Sequence, residues 1–207
     1  MNINLFVNHY QCGDEERQAE LDFCVKHNTE SNLFANIILF GGRVTYNDFF
    51  KETANYPNDI NILSNVDIYF NETILKVLEM GDNDCYCITR WEEVDGEIRR
   101  FSEMHDYNNG AQEAWSQDTW VIKGKARRVN GQFHLGIPGC DNRIAYEFHI
   151  AGYNVSNPCP DIQCIHKHKS PTRNYQVPKG MGGKIQRPYK FIAPRDENPK
   201  IARRRKI

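Results

Sequence analysis

A chain of 207 residues, 40% hydrophobic and 12% aromatic, holds enough apolar surface for one packed domain and excludes global disorder. No apolar run approaches the ~18 residues needed to cross a bilayer, so no transmembrane segment is expected. The net charge of −1 conceals an asymmetry: from Lys179 onward ten Lys and Arg stand against two acids, while the preceding residues carry 16 bases and 25 acids.

The elements follow in chain order. Ile3–Val7 is a short apolar strand; meeting Asn8-His9-Tyr10, with no basic leader and no small-residue cleavage site, it does not read as a secretory signal, and a cytoplasmic protein is expected. Seven cysteines in such a chain are expected as free thiols. Gly13-Asp14 offers a turn and a cap, with Glu15 and Glu16 in the first helical turn and Leu21, Cys24 and Val25 on one face to about Asn28. A second strand is expected at Ile37–Phe40, a short helix from Asn47-Asp48 to before Pro57, and one strand within Ile60–Phe70. Asn71 should cap a helix that carries Ile74, Val77 and Leu78 and stops at Gly81, and Cys85–Trp91 is a fourth strand. Apolar strands alternating with helices predict an α/β fold with a mostly parallel central sheet covered on both faces.

The second half is less periodic. Trp120–Ile122 is a strand, and Gly139-Cys140-Asp141-Asn142 is a loop feeding a helix with Ile144, Ala145, Phe148 and Ala151 on one face, ended by Gly152. Tyr153–Val155 and Ile162–Ile165 complete the strands. The domain is assigned to residues 1–175. Residues 176–207, rich in Gly, Pro, Lys and Arg, form a basic tail that drapes over the domain through Tyr189, Phe191 and Ile192. Such a tail is a solvated arm or a surface for nucleic acid or anionic membrane.

Four groups of residues carry the chemistry. On one strand, Asn65 and Asp67 would share a face near its carboxyl end, where open α/β sheets bind ligands and a carboxylate can hold Mg²⁺ or Mn²⁺; the plain alternative is a polar strand end. His166 and His168, also two apart, offer two imidazoles for Mn²⁺ or Zn²⁺, with Cys159 and Cys164 upstream as further zinc candidates, or are exposed basic side chains. Asp141 behind a glycine turn is either the helix cap or a general base toward an acceptor hydroxyl. Asp118, between Trp115 and Trp120, combines sugar-stacking faces with a carboxylate for hydroxyls, unless the tryptophans are core.

The order of these groups resembles the small glycosyltransferases of the GT-A fold, including bacterial and phage or algal-virus members, over roughly residues 2–175. Ile3–Tyr10 is similar to the family's nucleotide-holding first strand and loop, Asn65-Val66-Asp67 to its Asp-x-Asp metal motif, and Thr89-Arg90-Trp91 to its next strand end. Ser116-Gln117-Asp118-Thr119-Trp120 resembles a sugar- or acceptor-side motif, Gly139-Cys140-Asp141-Asn142 the base motif of inverting members, and His166 or His168 the late metal-binding His. Residues 65 and 142 depart from the pattern, each being Asn where the family carries an acid.

The resemblance implies a single-domain, Rossmann-like sandwich that uses a nucleotide-diphosphate sugar as donor. Mn²⁺ or Mg²⁺ would sit on Asp67 with His166 or His168. Asp141 would act as the inverting base, Arg90 would lie near the diphosphate, and Asn65, Asp118 and Trp120 would orient donor or acceptor. The acceptor would be a glycan or another hydroxyl compound, modified DNA included. Two other readings use the same residues: a metal-dependent nuclease or nucleotidyl-transfer enzyme built on Asp67, Asp118 and the His pair, and a non-catalytic nucleotide- or carbohydrate-binding module.

Overall fold

The central element is a twisted six-stranded sheet in which residues alternate between two buried faces. The computed structural model describes residues 1–104, 115–170 and 185–194. Its ten strands are β1 (Ile3–Asn8), β2 (Asn36–Phe40), β3 (Ile60–Ser64), β4 (Ile68–Phe70), β5 (Asp84–Ile88), β6 (Trp91–Val94), β7 (Glu97–Arg100), β8 (Thr119–Lys123), β9 (Asn154–Ser156) and β10 (Cys164–His166). The α-helices are α1 (Glu15–Glu30), α2 (Tyr46–Glu52), α3 (Phe101–Met104) and α4 (Cys140–Ile150).

The large sheet runs β2-β1-β3-β8-β5-β9 and the small one β4-β10-β6-β7. In the large sheet β8 is antiparallel to both β3 and β5, while the pairs β1·β2, β1·β3 and β5·β9 are parallel. The fold is therefore α/β with mixed sheets. Between β5 and β8 the chain contributes β6 and β7 to the small sheet, and β8 then pairs between β3 and β5 in the opposite sense.

Period-two alternation separates the two cores. Ile3, Leu5, Val7, Tyr86, Ile88 and Val121 face one side, against Ile68, Phe70, Ile74, Val77 and Cys164. Phe6, Cys85, Cys87, Trp120 and Ile122 face the other, against Tyr46, Phe49 and Phe50 of α2 and Ile144, Ala145 and Phe148 of α4. All seven cysteines are free thiols, six of them buried.

Several expected elements change character. The apolar run Ile60–Phe70 is two strands in two different sheets, broken by a turn in which the Ile68 amide donates to the Asn65 carbonyl at 3.3 Å. Asn71 caps its helix, but Glu72–Glu79 is 3₁₀. At three residues per turn Ile74, Val77 and Met80 line one buried edge, and Leu78 is exposed. The strand expected at Cys85–Trp91 is likewise split, into β5 and β6. Asp14 caps α1 as expected, its carboxylate accepting from the Arg17 amide at 2.7 Å. Thr45 rather than Asn47 caps α2, in a reciprocal box with Asp48.

Residues 185–194 are a strap bound to the domain. The Ile185 amide donates to the Pro138 carbonyl and the Lys190 amide to the Asn142 carbonyl, each at 2.9 Å, and Ile192 is buried in the α4-side core. Ile192 and Tyr189 thus dock as the sequence suggests, whereas Phe191 stays half exposed. The rest of the basic tail lies outside the described residues.

Candidate functional site

The strand order determines where a ligand fits. From β1 the chain passes through α1 to β2 on one side, then through α2 to β3 on the other side of β1. The carboxyl ends of β1 and β3 therefore flank a topological switch point, the usual crevice of an open α/β sheet. A cavity of about 420 Å³ lies there. Its walls come from Asn8 at the end of β1 and residues 10–13 after it, Gly42 and Arg43 after β2, the Asn65–Asp67 turn after β3, and Arg17, Arg90, Asp118, His166 and His168.

Asp67 is the hub. Its Oδ2 accepts from Arg17 Nη2 and meets His166 Nε2 at 3.1 Å. His166 Nδ1 bonds Glu92 Oε2 at 2.7 Å, Glu92 Oε1 accepts from Arg90 Nε at 2.7 Å, and Arg90 Nη1 donates to Asp118 Oδ2 at 3.1 Å. Asp118 Oδ1 accepts from Asn65 Nδ2 at 2.9 Å, and at the other end Arg17 Nη1 donates to Glu20 Oε2 at 2.8 Å. Acids and bases alternate along this chain, so each charge between its two ends is compensated on both sides. Burial disfavours the Asp67 charge, but the His166 and Arg17 cations outweigh it and hold the carboxyl far below the usual range. Burial likewise opposes the His166 cation, yet Asp67 and Glu92 push its pKa up to about 9. Glu92, also opposed by burial, is held at about 2 by His166 and Arg90.

Asp67, His166 and His168 each offer a ligand atom, and these atoms lie within 4.8 Å of one another. The set fits a divalent transition metal: two imidazoles and one carboxylate suit Mn²⁺ or Zn²⁺, whereas Mg²⁺ favours an all-oxygen shell. On giving up its Nε2 proton to a metal, His166 would keep the bond from Nδ1 to Glu92 that orients a ligating imidazole. His166 sits at the end of β10 and His168 two residues beyond, their rings 5.2 Å apart, so the expected common direction is found. Cys159 and Cys164 pack into the hydrophobic cluster with Phe70, and among the described residues neither joins the histidines, which removes the Cys₂His₂ zinc option.

Compared with known protein families, the chain matches no family model, and no curated protein matches it. The arrangement of side chains is therefore the basis for any functional reading.

The remaining sequence candidates divide. Asn65 and Asp67 belong to a turn rather than a strand; Asn65 orients Asp118 and Asp67 faces the histidines. Arg90 lines the cavity with its guanidinium bound to Glu92, Asp118 and Ser116 and lying 4.6 Å over the Phe101 ring. Trp120 is corrected from ligand binding to core: it is 1% exposed and packs edge-on against Tyr46 at 5.0 Å. Its strand partners put residue 120 on the α2/α4 face, away from the cavity.

Asp141 is not the helix cap. Gly139, at φ 85°, takes that position, and Asp141 is the second helical residue of α4. It accepts from Cys140 Sγ at 3.0 Å and is not part of the cavity wall. Burial and the charge of Asp118 push its pKa up to about 7. A carboxyl poised at neutral pH is suited to proton transfer.

Sequence reading missed Arg17, Glu20, Glu92 and Arg43. Arg17 and Glu20 lie on the same helical stripe as Leu21, Cys24 and Asn28, an ionisable pair on a buried face, which is itself a signal. Glu92 belongs to a β6–β7 hairpin whose turn, Asp95-Gly96, has positive φ at both residues, the two-residue hairpin signature. Arg43 follows Gly41-Gly42 after β2; it is exposed, lines the cavity and makes no ion pair among the described residues.

Proposed function

We propose that the chain is a metal-dependent glycosyltransferase, transferring a sugar from a nucleotide-diphosphate sugar to a hydroxyl acceptor with inversion. The observation that carries this reading is the convergence of Asp67, His166 and His168 at the switch point between β1 and β3, beside a cavity large enough for a nucleotide. Five of the six strands of the large sheet share one direction, and β8 alone runs against them, which keeps the loops after β1, β2 and β3 on one edge. This architecture supports the GT-A-like assignment.

Asp67, His166 and His168 would hold Mn²⁺, which supplies Lewis-acid stabilisation of charge on the departing diphosphate. Arg43, which lines the cavity and makes no ion pair among the described residues, would attract the phosphates. Asp141 would take the proton of the acceptor hydroxyl as its oxygen forms the new bond to the anomeric carbon. The bond from that carbon to the phosphate oxygen breaks, and the nucleoside diphosphate leaves with the electron pair. Asp118, fixed by Asn65 and Arg90, orients hydroxyls at the cavity wall. A nuclease centre would need Asp118 beside the histidines, but Asp118 is outside the metal-ligating group.

The test is calorimetric titration of UDP-, GDP- and dTDP-sugars with Mn²⁺ and with EDTA. Tight binding only with Mn²⁺, lost in His168→Ala, is expected. Equal donor affinity in EDTA would overturn the proposal. His168 is the better variant because removing Asp67 would also leave the buried Arg17 and His166 without their shared anion.

A further inference from the structure

The exposed aromatic side chains Trp115 and Phe191 have no role in the fold as described. They are 56% and 50% exposed, with ring centroids 5.7 Å apart. Tyr189 extends the group, its ring 6.3 Å from that of Phe191. Loose surface loops commonly carry exposed aromatics, but these two sit on anchored backbone. Asn142 Nδ2 donates to the Trp115 carbonyl at 3.2 Å, the Lys190 amide donates to the Asn142 carbonyl, and Asn157 Nδ2 holds the Ile192 carbonyl at 3.2 Å. A paired, exposed aromatic surface on hydrogen-bonded backbone marks a contact site.

Its location identifies what it contacts. Four successive residues connect it to the cavity: Trp115 is exposed, Ser116 Oγ accepts from Arg90, the Gln117 amide bonds the Asp141 carboxyl, and Asp118 lines the cavity wall. Three residue steps of at most ~3.6 Å keep the Trp115 and Asp118 backbones within about 11 Å. Asn142, which ties Trp115 to Lys190, is the residue after Asp141.

We propose that Trp115 and Phe191 form the acceptor platform and that the acceptor is a short oligosaccharide. One sugar ring lies with its C–H face on the aromatic pair, and the chain extends toward Asp118 and Asp141, which accept hydrogen bonds from its hydroxyls. The carboxylates favour a neutral, hydroxyl-rich ligand over a phosphate backbone, although Arg187 and Lys190 supply two cations on the strap. The inference rests on the transferase reading for the role of the bound sugar and on the surface itself for its chemistry.

Tryptophan fluorescence tests it directly, because Trp120 is buried, Trp91 is only partly exposed and Trp115 is the exposed indole. Maltose, cellobiose and N,N′-diacetylchitobiose are titrated into wild type, Trp115→Ala, Trp115→Phe and Phe191→Ala, with single-stranded oligothymidylate as comparison. At least one disaccharide should change the emission of wild type and lose about tenfold or more in affinity in Phe191→Ala. Measured calorimetrically, Trp115→Phe should retain that affinity and Trp115→Ala lose it, while Mn²⁺-dependent donor binding is unchanged in all three variants. Disaccharide binding without any donor binding would leave the sugar surface standing and remove the transferase reading. No response to any of the disaccharides, or a response to oligothymidylate alone that weakens steeply with salt, would overturn the inference.

Discussion

Asp141→Asn separates the burden of a buried carboxyl from its use. In the native fold the group is half buried at the second position of α4, accepts from Cys140 Sγ and the Gln117 amide, and lies within the field of Asp118. Its pKa is raised from 3.8 to about 7, so the folded state binds the proton more tightly than the unfolded state. The stability this contributes is complete below pH 3.8 and is lost as pH rises through 7. A displacement of that size corresponds to at most about 4 kcal/mol, and solvent at a half-buried group reduces it to about 1–3 kcal/mol. Asn keeps an acceptor for both donors and cannot ionise, although it gives up about 0.3–1 kcal/mol of attraction to the helix N-terminus. Urea unfolding should therefore show Asp141→Asn more stable than wild type at pH 8, with the gain shrinking at pH 5 and vanishing below 4. Transfer by the same variant should fall about 10²–10⁴-fold with donor binding intact, since the base is gone. A pH-independent difference in stability would refute the account of the buried carboxyl, and near-normal transfer would refute Asp141 as base.

Mn²⁺ at 100 times its Kd should stabilise wild type by about 2.7 kcal/mol in denaturant titrations, and His168→Ala should abolish the effect. Mg²⁺ should act more weakly, because two of the three protein ligands are imidazoles. Glu92→Gln, which alters the bond orienting His166, should lower Mn²⁺ affinity about 10–100-fold by calorimetry. Trp120→Ala should cost about 3–5 kcal/mol, read from the urea midpoint, as expected of a core aromatic; a loss under about 1 kcal/mol would return Trp120 to the list of ligand-facing residues.

Local signals were the legible ones. Asp14 before two glutamates marks the start of α1, and Gly139 before an apolar helical stripe marks α4, because caps and periodicity act over a few residues. The break inside Ile60–Phe70 was not legible, since both strands are fully buried and the turn between them keeps an apolar Val66. The placement of β8 was illegible for another reason: its partners β3 and β5 lie more than 30 residues away in sequence, and no local pattern in Thr119–Lys123 encodes their direction. Asp67 and the histidines could be picked out as candidates, but the partners that define their state are 50 residues away at Arg17 and 74 at Glu92, beyond any spacing rule.

The chain of alternating ions from Glu20 to Asp118 also governs how the site responds to substitution. Every member but the end groups has two partners of opposite sign, so replacing one changes the surroundings of both neighbours. Energies assigned to single positions will therefore overlap, and their total will exceed what the network contributes. Double-mutant cycles on Arg17 with Glu92, which share no bond but both act through His166 and Asp67, should show non-additivity of about 0.5 kcal/mol or more. Arg17 with the distant Lys123–Asp82 pair should be additive within about 0.5 kcal/mol.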